Sequence, residues 1–196
     1  MHLLFIRYTP CVSALRKAND MSLPIPPGTY PIDAMHSQLG FTVKHLGIST
    51  IRGSFHTYSG SLTVGADLAS TSVTIDADMA SVSTGSSMRD EHLHGDTFFD
   101  TANHPKLTFS TTSVAANGDG YALNGDLSIR GITKPVTLNV TFNGEATFPM
   151  DQSTHYGFEA TGAINRTDFG VSYGVPMVSD NVKLFLDVQF VSPKAS

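Results

Sequence analysis

A single cysteine, the absence of any long apolar run and a low content of charge set the first limits on this chain of 196 residues. Cys11 alone cannot form an internal disulfide, and it leaves the compartment open because many exported proteins also lack disulfides. A membrane-crossing helix needs about 18 consecutive apolar residues. No such run exists, so no segment is expected to span a bilayer. Charged residues make up 15% of the chain against 40% hydrophobic, and the formal net charge is -5 with no basic stripe or like-charge block. That balance excludes nucleic acid as the main partner, since phosphate-backbone binding needs clustered cations. What remains is a globular chain large enough to bury a core without staples.

The first twenty residues, MHLLFIRYTPCVSALRKAND, differ from the rest. Only four consecutive apolar residues, at positions 3–6, precede Arg7, whereas an export signal starts basic and continues with roughly 7–15 uninterrupted apolar residues. The leader holds Arg7, Arg16 and Lys17 against Asp20. Of the 12 basic and 17 acidic residues in the chain, 9 and 16 therefore fall from Met21 onward, a net of -7. Two origins compete: a poorly formed export signal, which makes the protein periplasmic or secreted, or upstream sequence translated ahead of a start at Met21. The second is favoured, and with it a cytoplasmic protein. Residues 1–20 are then a leader outside the fold, and residues 21–196 form one domain.

Past the helix-excluding LPIPPG at 23–28, polar and apolar residues alternate with period two, the mark of half-buried strands. Leu39, Phe41 and Val43 share one face, with His45 following in register. The same reading gives Val73, Ile75, Ala77 and Met79, then Leu107 and Phe109, then Tyr121, Leu123, Leu127 and Ile129. Three more rows follow: Val136 to Phe142, Tyr156 to Ile164, and Val182 to Phe190. Residues 50–64 are ambiguous, because Phe55 and the later Leu62 and Val64 fall in opposite registers; a bulge near Gly60 is the expectation. NGDG at 117–120, RGITKP at 130–135 and NGEATFPMDQ at 143–152 supply turns. Eight or nine such strands form either a barrel or a sandwich, and periodicity does not separate the two.

One stretch breaks the alternation. STGSSMRDEHLHGDTFFD at 83–100 gains helix formers, a serine cap at Ser86 or Ser87, early acids at Asp90 and Glu91, and a stop at Gly95. A short helix is expected, followed by an Asp96-capped turn that carries Phe98 and Phe99 inward. On that helix His92 and His94 point about 200° apart and cannot share a metal ion, and the sequence has no HExxH motif. No metal site is expected. Catalysis is no better supported: Cys11 lies in the leader, no GxSxG elbow exists, and Asp76 with Asp78 reads as the solvated face of a strand.

Taken together, GTYPID, HSQLGFTVKHLGIS, MRDEHLHGDTFFDTANHPKLTFST, YALNGDLSIRGITKPVTLNV and INRTDFGV resemble the YceI-like family of polyisoprenoid-binding, lipocalin-like proteins, over residues 28–191. The resemblance implies an all-β fold, an antiparallel eight-stranded barrel with a short capping helix, whose apolar cavity holds an isoprenoid or similar lipid. The inward rows then make Phe41, Val43, His45, Phe109, Leu127 and Ile129 candidates for the wall, with Phe98 and Phe99 closing the mouth. Arg89, Arg130, Lys134 and Arg166, at strand ends and loops, are candidates for a polar head group. The expected ligand is a polyisoprenoid, an isoprenoid quinone or its precursor, bound without catalysis or cofactor for carriage, storage or shielding. An enzyme acting on such a lipid and a plain interaction barrel are the alternatives, and a homodimer stays open.

Overall fold

The computed structural model describes residues 22–192, so the leader expected at residues 1–20 lies outside the described residues. Each predicted apolar row becomes a strand. In chain order these are β1 (Gly28–Pro31), β2 (Gln38–His45), β3 (Ser49–Phe55), β4 (Tyr58–Val64), β5 (Ser72–Asp78) and β6 (Val82–Ser83). The helix α1 (Ser87–His94) follows, then β7 (Lys106–Asn117), β8 (Gly120–Ile129), β9 (Ile132–Thr147), β10 (Thr154–Asn165) and β11 (Asn181–Val191). All belong to one antiparallel sheet in the order β1-β4-β5-β7-β8-β9-β10-β11-β2-β3-β6.

The sheet curls until its margins meet. At one seam Ile32 bridges to Phe190, and the Asp33 N–H donates to the Gln189 carbonyl at 2.8 Å. At the other, the His56 N–H donates to the Ser81 carbonyl at 3.2 Å. The result is the expected lipocalin-like barrel with a capping helix. The eleven strands among the described residues exceed eight for a simple reason. Strands β1 and β6 are short edge pieces, and β3 and β4 are two arms of one wall that turns a corner at His56 and Thr57. That corner also corrects the bulge expected near Gly60. Strand β4 pairs with β5 in unbroken register, so the change of face between Phe55 and Leu62 takes place at residues 56–57. The bulges lie elsewhere, at Thr111/Ser113 and Gly157/Phe158.

Turn chemistry fixes the long hairpins. Arg130 and Gly131 both have positive φ, 53° and 71°, as a tight two-residue hairpin requires, so β9 begins at Ile132 and takes in most of the expected turn. Helix α1 ends where Gly95 donates its N–H to the His92 carbonyl. Its start departs from expectation, because the Ser86 side chain makes no capping bond. The Asp90 carboxylate instead accepts the N–H and hydroxyl of Thr84, while Arg89 Nε donates to Thr84 Oγ1 at 2.6 Å. Two apolar clusters fill the barrel. Leu23, Ile25, Tyr30, Tyr156 and Phe190 close one end, and Met79, Phe109, Leu127, Ile129 and Phe169 lie toward α1.

Candidate functional site

Between these clusters the inward rows leave a cavity of about 290 Å³. It is long for that volume. Along β8 it touches residues from Tyr121 to Ile129, and along β11 residues from Val182 to Phe190, each a span of about 27 Å at roughly 3.4 Å per residue. The wall is apolar because each strand turns only its alternate, apolar residues inward. Phe41, Val43, Phe109, Leu127 and Ile129 line it, and Phe98 and Phe99 line it at the α1 end. Rings form a chain across this end, with Phe55 5.9 Å from Phe41 and 6.5 Å from Phe99 between centroids.

His45 does not line the cavity. The inward row of β2 ends at Val43, and His45 sits where the chain leaves the barrel wall for a hairpin, bridging through its backbone to Val178. Lys134 is also displaced from the expected mouth. The ladder of β10 with β9 stops at Thr161 and Asn139; beyond it β9 diverges, and exposed Lys134 borders a separate groove with Asn165 and Asp168.

The three arginines divide by role. Arg130 stays outside the cavity and ties the rim together, Nη1 donating to the Phe98 carbonyl at 2.9 Å and the Gly170 carbonyl at 3.1 Å. Arg89 and Arg166 both line the mouth. Arg166 is buried and donates to four carbonyls, those of Ser179, Val171, Tyr173 and Val178, at 2.8–3.0 Å. Burial lowers its proton affinity and Asp180 partly restores it; an arginine stays charged under such conditions. None of the ion pairs among the described residues involves Arg89, Arg130 or Arg166.

His92 lines the mouth and meets Phe98 and Tyr173 edge-on, whereas His94 faces Glu91 at 3.8 Å. The two rings thus diverge as the helix geometry requires. Among the described residues no group of three or more His, Cys, Asp and Glu is placed to hold a metal ion. Sequence reading missed one polar constellation. Ser153 Oγ lies 3.1 Å from His155 Nε2, and Asp33 Oδ2 lies 3.7 Å from His155 Nδ1. It is not arranged as a nucleophile and base: Ser153 is buried, it donates to Asp151 at 2.6 Å, and none of the three residues lines the cavity. The contributions of Phe169, Val171 and Val178 to the mouth were also missed, since the loops that carry them have no period to read.

The profile of the YceI-like domain matches residues 30–190. A UPF0312 protein of Yersinia pestis is 38% identical over 168 residues, covering 84% of this chain and 87% of that one. Burkholderia cenocepacia BcnA superposes with a TM-score of 0.72 at 24% identity, over 83% of this chain and 99% of its own. A polyisoprenoid-binding domain from Saccharophagus degradans, implicated in plant cell wall breakdown, superposes with a TM-score of 0.62 at 18% identity, over 84% and 98%.

Proposed function

The chain belongs to the YceI-like family, and from that premise we propose that it binds one long apolar lipid inside the barrel, a polyisoprenoid, an isoprenoid quinone or its precursor, without chemical change. The observation that carries this reading is the cavity's combination of great length, modest volume and apolar wall. Burial of each methylene is worth about 0.8 kcal/mol, and association costs roughly 4–15 kcal/mol before affinity accrues. A short molecule without polar anchors barely breaks even; an extended chain of several isoprene units exceeds the cost. A polar head cannot be buried unpaired, so it stays at the mouth beside Arg89 and Arg166. That the same fold serves as a polyisoprenoid-binding domain in Saccharophagus degradans accords with this reading. Binding of this kind needs no cofactor, and it suits carriage, storage or shielding.

The test is organic extraction of the purified protein and mass spectrometry of what it held, for wild type, Phe109→Ala and the outward control Thr108→Ala. Phe109 is buried in the cavity wall and Thr108 beside it is exposed. Phe109→Ala lowers lipid occupancy and costs the delipidated protein less than the roughly 3–5 kcal/mol of a ring packed by protein alone. Thr108→Ala changes neither. Wild-type protein that carries no lipid and is not stabilised by polyprenyl compounds would replace this reading with a plain interaction barrel.

A further inference from the structure

The rim of the mouth carries apolar side chains that the cavity does not use. Ile48 and Leu46 at the tip of the β2–β3 hairpin are 85% and 56% exposed, Met177 and Tyr173 in the loop after β10 are 57% and 52%, and Met88 on α1 is 85%. They are contiguous. The Leu46 N–H donates to the Met177 carbonyl at 2.7 Å, which joins hairpin to loop. Tyr173 stands edge-on to His92 at 5.4 Å and to Phe98 at 5.3 Å, which joins loop to helix. Met88 lies one turn before His92 on the same helix face. Three elements thus form an apolar crescent around the opening, and it runs into the cavity through His92 and Phe98. Single exposed apolar residues are ordinary, but a contiguous set marks an interaction surface.

Two further features say what the crescent meets. Leu46 has φ 51°, a left-handed conformation unfavourable for leucine, so the hairpin presents its apolar tip against a backbone preference. Residues 38–57 include Lys44 and Arg52, both exposed, and no acidic residue, in a chain whose net charge is -5. Neither cation enters an ion pair among the described residues.

We propose that this rim docks on a lipid bilayer bearing anionic head groups. Leu46, Ile48 and Met177 enter the head-group layer, Lys44 and Arg52 meet its charge, and an apolar chain passes between bilayer and cavity without crossing water. An apolar hairpin tip flanked by Lys44 and Arg52 matches an interfacial membrane contact; a second copy of the chain would need a self-complementary face instead. The purpose of the docking rests on the lipid-binding reading above, but its test is separate.

The experiment is flotation of the full chain with vesicles of phosphatidylcholine alone and of phosphatidylcholine mixed with phosphatidylglycerol. The chain floats with the mixed vesicles, and added salt weakens the binding. The double variants Ile48→Ser with Met177→Ser, and Lys44→Glu with Arg52→Glu, lose about tenfold or more in binding, with melting temperature unchanged. Protein that carries lipid yet floats with neither vesicle overturns the docking and leaves the cavity reading intact. Protein that floats but carries no lipid does the reverse. A wild-type dimer that does not float, and that becomes monomeric when Ile48 and Met177 are replaced by serine, would assign the crescent to a subunit interface and overturn the proposal.

Discussion

Arg166 has a double position at the mouth: it borders the cavity, yet its guanidinium donors are largely committed to the carbonyls of Val171, Tyr173, Val178 and Ser179. Of five N–H groups on an arginine it has one to spare, so holding the loop is its first task. Asp33 does comparable work at the seam. Its Oδ2 lies 2.7 Å from His36 Nδ1, and Oδ1 accepts the Met35 N–H at 3.0 Å. Burial pushes this carboxyl up, but the His36 hydrogen bond, the Met35 N–H and the charge of His36 outweigh it and hold it below the ordinary carboxylate range. A carboxyl depressed on folding stabilises the native state above its unfolded value, near about 3.9. That contribution is lost as the pH falls from there toward the folded value. Asp33→Asn is therefore expected to cost about 1–2 kcal/mol in urea unfolding at neutral pH, with the gap to wild type closing below about pH 4. A gap of the same size at pH 7 and pH 3 would mean that Asp33 acts through packing and not through charge.

At the scale of the element, one glycine shows how closely the wall is built. A Cβ added to Gly125 on β8 would overlap the Phe109 ring from β7 and stand 2.7 Å from the Ser110 carbonyl. The ring can move but the backbone cannot, so Gly125→Ala is expected to destabilise the barrel by about 1–3 kcal/mol and to lower lipid occupancy through the displaced ring. Denaturant unfolding and lipid extraction read the two effects; an unchanged midpoint would show that the strands separate cheaply. Strands such as β8 and β11 were legible because alternation in one segment reports burial wherever its partners lie. The same rule misplaced His45 and the bulge at Gly60. Alternation persists locally while the chain turns away, and whether β2 or β4 still belongs to the wall at that residue depends on pairings with distant segments. Around Phe169, Val171 and Val178 no period exists, and the loop's form is set by Arg166 and by contacts reaching back to Lys44.

At the scale of the whole molecule, the barrel is a narrow apolar channel closed at one end by Leu23, Tyr30 and Phe190 and opening at the other among α1, the β2–β3 hairpin and the loop held by Arg166. A dead-ended channel of this shape sets the length of what it holds as well as the polarity. Each added isoprene unit should improve binding until the chain meets the closed end, after which further units must stay in water or leave by the mouth. The direct measurement is the melting temperature of the delipidated full chain, titrated with a homologous series of polyprenyl compounds of increasing length. Stabilisation is expected to saturate at one lipid per chain, to rise with each unit and then to level off at a definite length. A response that is absent, or the same for the shortest and the longest members, would contradict the claim that the barrel was built around one long apolar ligand.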